Sequence, residues 1–121
     1  MTNNMLWGKL AIGMLLFTGL HTLVWFSTNL QFMKADIAAK SLQISVLLAI
    51  PATMCAYFAS KSTYQALDGS VWAVRFIGFG TSYLVFPILT WWLLKESMLT
   101  PKTLVCIGLS VLIVCIQVFW K

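Results

Sequence analysis

Charge is what this sequence has least of. Its 121 residues include eight Lys or Arg, three Asp or Glu and one His, so charged side chains make up only 9% of the chain. A soluble domain usually carries about 25%. With 60% hydrophobic residues and a mean hydropathy of +0.90, these side chains cannot cover a water-soluble surface, and a soluble globule is excluded. Acids are scarcest: Asp36, Asp68 and Glu96 are the whole supply. One His and three acids leave no Ser/His/acid set, and there is no metal-spaced His or Cys cluster and no Gly-rich phosphate loop. An enzyme, a metal site and a cofactor are therefore not expected. Cys55, Cys106 and Cys115 are odd in number and lack a C-x-x-C spacing, so they read as reduced packing residues. The net charge of +5 is scattered rather than gathered on one basic face. That distribution suits anionic lipid headgroups and excludes nucleic acid as a partner.

What the sequence has instead is long apolar runs. Lys9 and Lys34, Lys40 and Lys61, Arg75 and Lys95, and Lys102 and Lys121 bracket four of them. Each run holds roughly 18 to 24 uncharged residues, enough for a helix to cross about 30 Å of hydrocarbon. Barrel strands would be about ten residues long and alternate strictly; these runs do not alternate. The expectation is an all-α integral membrane protein, a single domain over residues 1–121. Its four transmembrane helices are expected near 6–27, 42–64, 70–94 and 102–120, with both termini on one side. The first run is longer than a leader's apolar core and is followed by "STNLQFMK", with no small-x-small cleavage site, so it is read as a mature helix.

The connections support this division. "ALDGS" is a tight turn in which Gly69 can take positive φ and Ser70 can cap the third span. In "KESMLTPK", Thr100 can cap the fourth span and Pro101 fits its first turn. Trp7, Trp25, Trp72, Trp91, Trp92 and Trp120 all fall near span ends, where interfacial indoles belong. Lys9, Lys61 and Lys121 lie on the side of the termini, with Arg75 just inside; Lys34, Lys40, Lys95 and Lys102 lie opposite. Four cations against four gives the positive-inside rule nothing to act on. Assembly with a partner, or insertion both ways, must decide orientation.

Three of the spans carry a resemblance. "YFASKSTYQALDGSVWAVRFIGFG", with its tight turn and Gly78-Phe79-Gly80 step, and "WWLLKESMLTPKTLVCIG", a short polar turn before the last helix, are similar to the drug/metabolite transporter superfamily, in particular its four-helix small multidrug resistance-like members. The resemblance implies a half-size transporter working as a homodimer, often antiparallel, or with a related chain. It places the substrate cavity among the first three helices and the dimer contact on the fourth. It also implies a bacterial inner (plasma) membrane. The near-tied lysines agree with an antiparallel pair. One position departs: where the family carries a membrane-embedded Glu in its first helix, the alignment places Phe17. A cavity without a buried carboxylate is not built to attract a cation and exchange it for protons.

The polar residues inside the spans supply the candidates. Arg75 opens the third span; it either snorkels to the headgroups or faces the cavity and grips an anion such as a phosphate. Ser82 and Tyr83, at i+7 and i+8, are assigned to the same face and with Arg75 and His21 form the candidate substrate site. His21, one turn beyond Phe17, is either a proton-coupling group or a hydrogen-bonding partner of a neighbouring helix. Gly78, Gly80 and Pro87 are candidate hinges for alternating access; glycines are also packing devices. Lys61, flanked by Tyr57 and Tyr64, reads as a snorkelling lysine, and Gln117 as a possible bond across a dimer seam.

Two functions follow. One is a dimeric transporter, or a flippase of lipid-linked substrates, for an anionic or amphipathic small molecule or lipid. The other is a non-transporting accessory subunit of a larger membrane complex, its cavity filled by Phe17, Trp25, Phe26 and Phe86.

Overall fold

The computed structural model describes residues 3–120, with side chains from Trp7 onward. Among them every regular element is helical. Helix α1 (Asn3–Asn29) is followed by a single 3-10 turn (Leu30–Phe32) and a four-residue helix α2 (Ala35–Ala38). Then come α3 (Ser41–Ala66), α4 (Val71–Leu94) and α5 (Pro101–Phe119). Four stretches are long and apolar enough to cross a membrane: Trp7–Phe32, Ser41–Ala66, Val71–Leu94 and Pro101–Phe119. The shortest, at 19 residues, rises about 28 Å, which matches the hydrocarbon thickness.

The turns form for the reasons their residues suggest. Gly69 takes φ +76°, and Ser70 accepts a hydrogen bond from the Ala73 amide at 3.1 Å. Thr100 accepts from the Thr103 amide at 3.3 Å, with Pro101 in the first turn behind it. Lys95, at φ 60°, ends α4 in the left-handed conformation. Sequence reading did not anticipate that ending, because a non-glycine residue there carries no local signature.

Helix α1 is the centre of the bundle, packing along α3 and against α4; α4 in turn carries α5. Small residues make the α1–α3 crossing close. Ala59, Thr63 and Ala66 are buried at 0%, 0% and 1% exposure. A Cβ added at Gly13 would overlap Thr63 Oγ1 and lie 3.2 Å from the Thr63 amide nitrogen. Hydroxyls tie the pair at both ends: Ser62 Oγ donates to the Lys9 carbonyl at 2.7 Å, and Ser45 Oγ donates to the Ser27 carbonyl. Phe17, Ala59, Val74 and Ile77 form the core where α1, α3 and α4 meet. No residue of α5 is buried.

Trp25 corrects the interfacial reading of the tryptophans. Five of the six are exposed, but Trp25 is 2% exposed, and its indole N–H donates to Thr90 Oγ1 of α4 at 3.0 Å. The reason is periodicity. Phe17, His21 and Trp25 recur every four residues, and that stripe of α1 faces α4. Depth along the span put Trp25 at an interface; rotation about the helix put it inside.

Candidate functional site

Because α3 and α4 touch each other far less than each touches α1, they splay. The result is a groove of about 920 Å³, floored by α1 and walled by α3 and α4. Phe17, Leu20 and His21 form the floor. On the α3 wall stand Thr53, Tyr57, Ser60, Lys61 and Tyr64; on the α4 wall stand Arg75, Phe79 and Ser82. No lining residue is acidic, and none comes from α5.

Lys61 and Arg75 owe their shared depth to the tight turn. They lie seven residues before and seven after Asp68, which with Gly69 turns the chain. In an antiparallel helical pair, positions equidistant from the turn stand level. Arg75 is four residues inside α4 and Lys61 five inside α3, or about 6 and 7.5 Å from the helix ends. Both side chains are exposed. Tyr57 and Tyr64 stand one turn to either side of Lys61, and the Tyr64 hydroxyl rests over Gly69, where an added Cβ would lie 3.3 Å from it. Asp68, the nearest acid in sequence, lies outside the lining.

His21 stands on the floor about one helical turn deeper than Arg75, level with Gly78. Its Nε2 is 2.6 Å from the Gly78 carbonyl oxygen. A carbonyl can only accept, so Nε2 is the protonated nitrogen and Nδ1 is left for another partner. The same carbonyl accepts from Thr81 Oγ1 at 2.8 Å. Phe17 lies beside His21, their rings stacked with centroids 6.3 Å apart. It fills the space that the missing side chain of Gly78 leaves: a Cβ there would meet the Phe17 ring at 3.0 Å. The groove floor therefore presents an aromatic ring and an imidazole, and no carboxylate.

The structure brings Arg75, His21 and Ser82 into one groove and leaves Tyr83 out. Ser82 lines the wall, its Oγ donating to the Phe79 carbonyl at 2.6 Å. Tyr83 points toward α5, with its hydroxyl 3.1 Å from Ser110 Oγ. Seven residues of α-helix fall about 20° short of two full turns, whereas eight overshoot by about 80°; i+7 shares the face of Arg75 and i+8 does not. Gly78 and Gly80 are packing positions, the first under Phe17 and the second under Val114 of α5. Pro87 is buried within an unbroken α4, where it leaves the Tyr83 carbonyl without its intrahelical donor. Of the four aromatics considered as cavity fillers, Phe17 and Trp25 are buried and Phe86 is half exposed on the outer surface.

Lys61, read from the sequence as a snorkelling lysine, is exposed near its helix end and also lines the groove. Alone, a lysine near a helix end is a snorkelling residue; the signal lay in its symmetry with Arg75 about the turn. The three cysteines are free thiols, and among the described residues no three His, Cys, Asp or Glu side chains gather as for a metal. Compared with protein-family models, with curated proteins and with solved structures, the chain gives no match.

Proposed function

We propose that the chain is a small drug/metabolite-type membrane transporter or flippase, acting as a dimer on an anionic, amphipathic substrate. The observation that carries this reading is the groove itself: two cations near the turn, an imidazole on the floor about one helical turn deeper, apolar walls and no carboxylate in the lining. Arg75 supplies a planar fork of donors suited to a phosphate or carboxylate. Lys61 adds a second charge, and Ser60, Tyr57 and Tyr64 offer hydroxyl donors. A hydrophobic cation would meet only like charge here. The resemblance in turn lengths and glycines supports the half-size arrangement, and α5, with nothing buried in the single chain, is the face left for a second copy. Pro87, which leaves the Tyr83 carbonyl without its helical donor, is the place where α4 would bend during transport.

The test is flux in proteoliposomes. An amphiphile bearing a phosphate should cross protein-containing membranes at least tenfold faster than protein-free ones, and a lipophilic cation should not. Accelerated cation flux would overturn the substrate class. The accessory-subunit reading is favoured by one observation, that Phe17 fills the place of the coupling acid. Fixed-ratio co-purification with a larger, unrelated chain, together with no flux, would establish it instead.

A further inference from the structure

The two cations and the apolar walls belong to one ligand, and their placement says how that ligand arrives. We infer that the α3–α4 groove is a lateral site for a phosphate-headgroup lipid, loaded from the leaflet at the turn end. Its phosphate sits between Lys61 and Arg75, and one hydrocarbon chain lies along the groove, past His21, toward Thr53 and Ser82. This rests on the reading of the groove as an anionic-ligand site and adds the substrate class and the route of entry.

Three observations lead there. First, depth: Lys61 and Arg75 stand about 6 to 7.5 Å inside their helix ends, the level at which long cationic side chains meet headgroups. A site for a soluble anion deep in the membrane would have its cations at the midplane, where the uncharged Thr53 and Ser82 lie instead, each at the middle of its helix. Second, the open flank: Tyr57, Val71 and Phe79 line the groove yet are 62%, 70% and 42% exposed, so among the described residues nothing closes it toward the hydrocarbon. Third, size: the groove's volume of about 920 Å³ is near the top of the roughly 300–1,000 Å³ that hold drug-sized molecules. A bare phosphate occupies the space of a few waters, about 30 Å³ each, and would leave the apolar walls unpartnered. An amphiphile meets both the charges and the walls. In an antiparallel pair the two grooves would load from opposite leaflets, because each has its cations at one end only.

The experiment is native mass spectrometry of the purified full chain in neutral detergent. The probes are a single-chain phosphomonoester lipid, lysophosphatidic acid, its zwitterionic counterpart lysophosphatidylcholine, and inorganic phosphate as competitor. The expected result is one lysophosphatidic acid per chain, bound at least tenfold tighter than lysophosphatidylcholine and not displaced by millimolar phosphate. Arg75→Gln and Lys61→Gln should each weaken it about tenfold; Lys40→Gln, on the opposite side, should stay within twofold. Arg75→Lys keeps the charge and should retain binding within about fivefold, while Ala56→Trp blocks the groove without touching a charge and should abolish it. The last pair decides the question even if a glutamine variant fails to fold.

Equal affinity for the two lipids, or wild-type binding by Lys61→Gln and Arg75→Gln, overturns the inference. So does tight binding by Ala56→Trp, which would mean headgroup attraction at a surface. Displacement by inorganic phosphate would make this a free-anion site. Lipid binding without movement between leaflets would remove the transport reading and leave the lipid site standing; flux of a soluble anion with no lipid bound would do the reverse.

Discussion

Replacing Gly13 by Ala should destabilise the protein by about 2 kcal/mol, although alanine is the better helix former. Propensity alone favours the change by about 1 kcal/mol. Against it, the new Cβ overlaps Thr63 Oγ1 and lies 3.2 and 3.3 Å from the Thr63 nitrogen and Ala59 oxygen of the α3 backbone. Overpacking of a well-packed site costs about 1–3 kcal/mol, and the upper part of that range applies because Thr63, fully buried and branched at Cβ, has no room to turn its hydroxyl away. Thr63→Ala by itself removes a buried hydroxyl that has no hydrogen-bond partner. Its burial is costly, by about 1–3 kcal/mol, so that change is expected to be within about 1 kcal/mol of neutral once lost packing is included. In the double variant the hydroxyl that the Cβ overlaps is gone, and the cost of Gly13→Ala should fall by about 1.5 kcal/mol. Equilibrium unfolding by dodecyl sulfate in mixed micelles, followed by circular dichroism, measures all three. Gly8→Ala on α1 is the control: a Cβ there meets nothing within 4 Å, and the variant should be at least as stable as the wild type. If Gly13→Ala proves as harmless as Gly8→Ala, or if the Thr63 background gives no relief, the close α1–α3 crossing is wrong.

Trp25→Phe should cost about 1–2 kcal/mol by removing the buried indole bond to Thr90, and adding Thr90→Val should cost little more, a coupling that a double-mutant cycle in the same micelles would read. Tyr83→Phe should lower stability by no more than about 1 kcal/mol and leave lipid affinity unchanged in a titration, because its hydroxyl serves the α4–α5 contact rather than the groove. His21→Leu should leave the Gly78 carbonyl still bonded to Thr81 and therefore cost only about 1 kcal/mol, with its larger effect on flux.

Much of the fold was legible because the bilayer imposes it. A helix must run apolar for about 20 residues, and Lys9, Lys34, Lys40, Lys61, Arg75, Lys95 and Lys102 mark where each run stops, so the four spans follow from charges alone. The turns were legible because Gly69, Ser70, Thr100 and Pro101 each have one physical use in those places. Rotation about the helix axis was harder to read. In a bilayer the lipid-facing side of a helix is as apolar as the buried side, so hydropathy does not say which face turns inward. That is why Trp25 reads as interfacial and lies buried, and why Tyr83 reads as a neighbour of Arg75 and faces α5. The crossing at Gly13 and Thr63 escaped for a related reason: a small residue announces close approach but not its partner. Arg75, His21 and Ser82 stand out in the sequence because polar atoms inside a span demand an explanation, and all three line the groove. Lys61 needed the hairpin's symmetry as well.

The decisive measurement is the rate at which a fluorescently labelled phosphate-headgroup lipid crosses vesicles holding the purified protein, read by quenching of the label exposed on the outer leaflet. Wild-type protein should make the inner-leaflet label accessible at least tenfold faster than empty vesicles, and the double variant Lys61→Gln, Arg75→Gln should return the rate to that of empty vesicles. A double variant that moves the lipid as fast as the wild type would contradict the assignment of the α3–α4 groove as the path of an anionic substrate.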